Sequence, residues 1–194
     1  GADDNGSGSA AVLELARILK DIETSVSFVF ALFDGEEEGL LGSASMAARM
    51  YQAGTRLVFM YNMDMIGHYE NDFDAYIYAT NPFHYDTWGI LADSLDGINL
   101  SPHVRGAGGS DHMSFEQVGY ESMMLHEYEF SNVYHSYRDS TTYIDYDYMT
   151  RMVQSSIAMV YYMSETFVPQ PSIEIEPAGP LAMALSPAGT DEIE

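Results

Sequence analysis

Carboxylate and imidazole side chains gather at four places along the chain: Asp3-Asp4-Asn5, Glu36-Glu37-Glu38, Asp64 within Asn62-Met63-Asp64-Met65, and His135 after Tyr134. Such a set suits zinc, manganese or cobalt. Two such ions sharing one bridging carboxylate polarise a carbonyl and lower the pKa of a bound water. A further carboxylate that binds no metal can then take the water's proton. Thiolate ligands and disulfides are excluded, because the 194 residues contain no cysteine. Taken singly, each cluster also has an ordinary structural explanation. An Asp-Asp-Asn-Gly run commonly forms a turn or helix cap, three adjacent glutamates form a solvated face, and a lone histidine is more often structural than a ligand. Asp64 is harder to explain in that way. A carboxylate among Met63, Met65 and Ile66 costs free energy unless it is paired or metal-bound. The joint occurrence of the clusters is what points to a metal site.

The elements that must position these groups follow from hydrophobic pattern. Val12, Leu15, Ala16 and Leu19 recur at helical spacing, which predicts an amphipathic helix over residues 10–22. Residues 26–33 form an apolar, β-branched and aromatic run of strand length without polar alternation, the pattern of a strand buried on both faces of a parallel sheet. An acidic turn follows at 34–39, and then a helix over 41–52, with Gly54 suited to its C-terminal cap. Residues 57–63 read as a second buried strand with Asp64 at its end. Further strands are expected over 73–78 and 120–127, helices over 83–95 and 146–167, and loops over 105–111 and 130–142. Pro169, Pro171, Pro177, Pro180 and Pro187 punctuate an acidic tail over 168–194, read as a linker or mobile tail after a 1–167 domain. No internal repeat is present. Strands alternating with helices imply an α/β architecture, a mostly parallel mixed sheet sandwiched between helices. Ligands in such folds bind beyond the C-terminal strand ends, where Glu36, Glu37 and Asp64 fall.

Composition narrows the function classes. Thirty acidic residues against seven basic ones give a net charge of -23, which argues against a nucleic-acid partner. The charge fits an acidic exported protein, a high-salt setting or a calcium-binding surface. The longest apolar stretch near the C-terminus, residues 157–163, is too short to span a bilayer.

The motifs Gly1-Ala2-Asp3-Asp4-Asn5-Gly6-Ser7-Gly8, Gly35-Glu36-Glu37-Glu38-Gly39-Leu40-Leu41-Gly42-Ser43, Asn62-Met63-Asp64-Met65-Ile66-Gly67, Ser110-Asp111-His112 and Tyr134-His135 occur in this order. Together they resemble the co-catalytic di-zinc exopeptidases of the secreted bacterial leucyl aminopeptidase type. That family is related to glutamate carboxypeptidase, glutaminyl cyclase and the protease-like domain of transferrin receptor. The resemblance covers residues 1–167 and implies two zinc ions, a peptide substrate and a secreted, extracellular or periplasmic location. By motif position it implies that Asp4 bridges both zincs, Glu37 and His135 hold one of them, and Asp64 holds the other. It implies Glu36 as general base and Tyr134 as hydrogen-bond donor to the tetrahedral oxyanion, with Asp111 and His112 supporting the site from behind.

Two departures accompany the resemblance. The family carries another histidine ligand in a His-x-Asp motif upstream of the opening run. The chain starts after that point, so the resemblance implies a fold incomplete at the N-terminus, with an upstream segment of the same protein as partner. None of His68, His84, His103, His112 and His126 sits in the matching motif. Some relatives also place a substrate-holding arginine just before Ser-Asp-His. Gly109 stands there, and Arg105 of the same loop is read as an exposed arginine. The Asp-Asn-Gly-Ser-Gly opening favours the aminopeptidase branch over glutaminyl cyclase. A carboxypeptidase or dipeptidase would need basic residues for a substrate carboxylate. A non-catalytic domain for binding or assembly remains the alternative of another class.

Overall fold

The computed structural model describes residues 1–70, 74–103 and 109–166. Arg105 and the tail over 168–194 lie outside them. The helix α1 (Gly6–Leu19) begins earlier than its apolar stripe because Asn5 caps it, accepting a hydrogen bond from the Gly8 amide at 3.0 Å. Ala11, Leu15 and Leu19, one helical turn apart, are its buried face. The helix α2 (Leu41–Gln52) follows the acidic turn. Next come the strands β1 (Met60–Met63) and β2 (Asp74–Ala79), then α3 (Pro82–Ser94), capped by Asn81, whose side chain accepts from the Phe83 amide, with Pro82 in its first turn. The short strand β3 (Ser101–His103) and short helix α4 (His112–Glu116) were not foreseen in the sequence. The chain ends its described part with β4 (Ser122–Glu127), a 3₁₀ turn at Thr141–Tyr143, and α5 (Tyr146–Thr166).

The four strands form one mixed sheet in the order β1-β4-β2-β3. β1 pairs with β4 in parallel, β2 with β3 in parallel, and β2 with β4 antiparallel. Side chains alternate across it. Met123 and Leu125 of β4, with Ala75 and Ile77 of β2, face a core closed by Leu15 of α1, Trp88 of α3 and Met152 and Met159 of α5. The opposite face carries Tyr76, stacked on His126 with ring centroids 4.3 Å apart, and Tyr78 against His112 of α4. Every residue of β4 is buried, as a strand covered on both faces requires. The helix–sheet–helix layering matches the expected architecture.

One expected element is corrected. Residues 26–33 form no strand, and Val29, Phe30 and Leu32 are exposed, Val29 at 65%. A strand exists only by pairing, and no described strand lies beside this run. The sheet ends at β1 instead. Between residues 26–33 and β1 lies a cavity of about 870 Å³, walled by Phe28 and Phe30 on one side and by Phe59 and Tyr61 on the other.

Glycine sets the closeness of two elements that matter for the site. Gly8 in the first turn of α1 lies against the end of β1, where a Cβ would run into the Met63 carbonyl oxygen. That contact brings the turn carrying Asp4 next to the strand end carrying Asp64.

Candidate metal centre

The turn before α1 is held from below. The Asp139 carboxylate accepts hydrogen bonds from the backbone N–H groups of Asp3 and Asp4, each at 3.0 Å. Asn5 donates from Nδ2 to the Met63 carbonyl at 3.2 Å. Asp4 is therefore fixed by its backbone while its side chain stays half-buried at the surface. Glu36 and Glu37 lie in the turn after residues 26–33. The Glu36 carbonyl accepts from the amides of Gly39 and Leu40, and Gly35 and Gly39 adopt the left-handed conformation that glycine permits. Asp64 leaves the end of β1 with its amide bonded to the Leu125 carbonyl at 3.2 Å. His135 closes the group from the loop after β4, with φ at +51°.

These turns converge. His135 Nε2 stands 2.7 Å from Glu37 Oε1 and 3.1 Å from Asp4 Oδ2. One ligand atom from each of Asp4, Glu37 and His135 lies within 4.8 Å of the others. Two carboxylates and one imidazole meeting at a point fit a zinc ion, which takes three or four such protein ligands. Asp64 adds a further donor: its Oδ1 is buried with no hydrogen-bond partner. Its Oδ2 accepts from Ser110 Oγ at 2.6 Å.

The electrostatics show crowding of like charge. Burial, then Asp64, Asp111, Glu37 and Asp4, push the Glu36 carboxyl up to about 7. Burial, opposed by the Ser110 hydrogen bond and reinforced by Asp4, Asp111 and Glu37, pushes Asp64 up to about 6. Asp4 is raised by burial and by Glu37, with His135 opposing. Tyr134 is raised by burial and by the same carboxylates. Its ring stacks on that of His135 at a centroid distance of 3.8 Å. Cations set among these groups would relieve the repulsion that raises them.

The residues picked out by sequence thus fall into one place: Asp4, Glu37 and His135 in direct contact, with Glu36, Asp64 and Tyr134 near enough to feel their charges and Asp111 near enough to act on Glu36 and Asp64. His112 stands apart from that group. It is fully buried against Tyr78, and neither ring nitrogen has a hydrogen-bond partner. Three residues that shape the site carried no assigned role in the sequence: Asp139, Asn5 and Ser110. Ser110 was visible as part of Ser110-Asp111-His112. For Asp139 no local signal existed, since its partners lie at the other end of the chain.

A family model for peptidase family M28 matches residues 1–160. The chain belongs to peptidase family M28. Leucine aminopeptidase 1 of Ajellomyces capsulatus is 30% identical over 188 residues, covering 84% of this chain and 47% of that protein. Among solved structures, an aminopeptidase from Aneurinibacillus sp. strain AM-1 is 29% identical with a TM-score of 0.73, covering 85% of this chain and 40% of that one. BSAP, a zinc aminopeptidase from Bacillus subtilis, is 27% identical with a TM-score of 0.75, covering 85% and 43%. The chain therefore spans about half the length of the M28 relatives it matches.

Proposed function

We propose that the protein is a zinc-dependent aminopeptidase. The observation that carries this reading is the meeting of Asp4, Glu37 and His135 at one point, with Glu36 beside them and not among the three. The zinc aminopeptidases among its structural neighbours support the choice of metal and reaction. Asp4, Glu37 and His135 would hold one zinc, and Asp4 and Asp64 would contribute to a second. Bound there, the ions supply a polarised carbonyl and an activated water. Glu36 would take the proton of that water and return it to the leaving amine, a task open to a carboxylate that holds no metal itself. The Tyr134 hydroxyl, whose pKa burial and the neighbouring carboxylates raise, would donate to the developing oxyanion. The acidic rim accepts hydrogen bonds from a free α-ammonium group. Phe130 and Tyr134, with ring centroids 4.8 Å apart beside His135, offer apolar surface to the first side chain. The preferred substrate is accordingly a peptide with an unblocked N-terminus and an apolar first residue. Assays on matched free-amine and N-acetylated peptides test this. Cleavage of the acetylated forms alone would overturn it.

The second zinc completes its ligand set with a histidine from an upstream segment of the same protein. Support comes from the cavity between residues 26–33 and β1, which opens onto Asp4, Glu36 and Asp64. An extended segment laid along the unpaired side of β1 would fill it, cover Phe28 and Phe30, and deliver a side chain beside Asp64. The 194 residues alone should then bind one zinc firmly and turn over little, and the longer polypeptide should bind two. Two tight zincs in the 194-residue chain alone would remove the need for the segment. We place the protein outside the cytoplasm, in keeping with its acidic composition.

A further inference from the structure

Six carboxylate side chains among the described residues line the cavity at the metal centre: Asp4, Glu36, Glu37, Asp64, Asp111 and Asp139. Five of them have a task. Asp4, Glu37 and Asp64 serve the metal ions of the proposed site, Glu36 serves the water, and Asp139 holds the Asp3 and Asp4 amides. Asp111 has none. It is 8% exposed, and its Oδ1 is buried without a hydrogen-bond partner. The ion pairs among the described residues do not include it. It stands at the head of α4, yet its side chain accepts no bond from that helix. A carboxylate held out of water in this way costs free energy until a cation meets it.

The place of Asp111 is fixed from both sides. Ser110, the residue before it, donates to Asp64 Oδ2 at 2.6 Å. The Asp111 carbonyl accepts from the Ser114 amide at 3.2 Å. Ser114 Oγ in turn lies 2.8 Å from Ser43 Oγ of α2, the helix that follows the Glu36-Glu37 turn. Asp111 is therefore set between the strand end that carries Asp64 and the helix rooted in the turn that carries Glu36.

We propose that Asp111 is the residue that binds the α-ammonium group of the substrate. In a peptide with a free N-terminus that nitrogen is two bonds, about 2.5 Å, from the carbon of the scissile carbonyl. With the carbonyl at the ions, the ammonium falls against the wall of the same cavity. An N–H of the ammonium donates to the Asp111 carboxylate in a charge-assisted bond, which supplies the missing cation and leaves Glu36 free for the water. Acylation of the N-terminus removes the charge and leaves Asp111 without its partner. The inference rests on the aminopeptidase reading and names the residue behind its demand for an unblocked N-terminus.

The test compares two zinc-binding ligands on the full-length protein, leucine hydroxamate and 4-methylpentanohydroxamate, which differ only in the α-amine. Titration calorimetry near neutral pH gives both affinities, and metal analysis gives the zinc content. Wild type should bind the amine-bearing ligand ~10–100-fold more tightly, the range for a hydrogen bond to a charged group. In Asp111→Asn the two affinities should become equal while zinc content stays at the wild-type level. Asp111→Glu keeps the charge and should keep part of the preference. A preference unchanged in Asp111→Asn would put the amine on the metal or on Glu36, and loss of zinc from that variant would make Asp111 a support of the metal. Either result overturns the proposal. Wild type that binds both ligands equally overturns it too and leaves the zinc reading standing, whereas wild type that binds neither removes both. The wild-type comparison keeps the proposal open to refutation even where Asp111→Asn does not fold.

Discussion

Ser110 donates a hydrogen bond from its Oγ to Asp64 Oδ2 at 2.6 Å, and the same Oγ accepts from Asn62 Nδ2 at 2.8 Å. The serine has one proton, and the Asn62 amide leaves it a single direction to point. Asp64 is thus held by one oxygen and offers the other, Oδ1, to the site. Ser110→Ala should leave the fold intact and lower zinc affinity by ~10–100-fold. Chelator competition on the full-length protein measures this, and an affinity equal to wild type would show that Asp64 needs no such orientation.

Glu36→Gln separates base catalysis from metal binding. The amide keeps the size of the side chain but cannot take a proton. Zinc content should stay at the wild-type level while turnover falls by ~10²–10⁴-fold. Metal analysis and peptide hydrolysis on the same sample check both halves. Wild-type turnover in this variant would remove Glu36 from the mechanism.

The site was legible in the sequence to the extent that its chemistry is local. Glu36 and Glu37 are neighbours in one turn, and Asp64 stood out as a charge among methionines at a strand end. The motif order placed Asp4 and His135 together although no spacing rule could. What could not be read were the contacts between distant turns, such as Asp139 with the Asp3 and Asp4 amides. The fold shows the same division. The helical stripes of α1 and α5 and the apolar runs of β1 and β4 appeared where expected, because their burial repeats along the chain. Residues 26–33 carry the same kind of apolar run yet form no strand, since strand formation depends on a neighbour that a local pattern does not contain. The short α4 escaped notice because one and a half turns give too little periodicity to see.

His112 gives the protein an acid-side weakness. Burial lowers its imidazole pKa to about 4 from an ordinary value of 6.5. A base whose folded pKa is depressed favours the folded state above its unfolded pKa and loses that favour as pH falls. The loss runs from pH 6.5 down to about 4, at up to about 1.4 kcal/mol per pH unit. In His112→Phe the side chain no longer titrates, so the stability difference between variant and wild type should shift toward the variant across that window. Denaturant unfolding at pH 7, 5.5 and 4 measures it. A constant difference would show that His112 takes up its proton without cost.

Gly8→Ala should be severe for so small a change. The added Cβ meets the Met63 carbonyl and the Asn5 side chain, which caps α1. Backbone must move, at a cost of about 1–3 kcal/mol typical of overpacking. The displaced strand end carries Asp64, so zinc affinity should fall together with the thermal midpoint. Gly89→Ala in α3, where the added Cβ meets only Pro102 Cγ at an ordinary 3.5 Å, is the control.

β4 is the last strand among the described residues, yet it lies between β1 and β2. During synthesis β1 and β2 leave the ribosome with no partner for each other, and the gap between them waits for residues 122–127. Such late, long-range pairing is slow compared with helix formation. Asp64 takes its bond to Leu125 only when β4 arrives, and His135 follows eight residues after that strand. A nascent chain therefore carries scattered acidic turns that have no common point to share until β4 is in place. On the proposed zinc reading, capture of the metal would mark the closing of the sheet, and its scarcity during synthesis would delay the final locking of the fold while leaving the helices free to form.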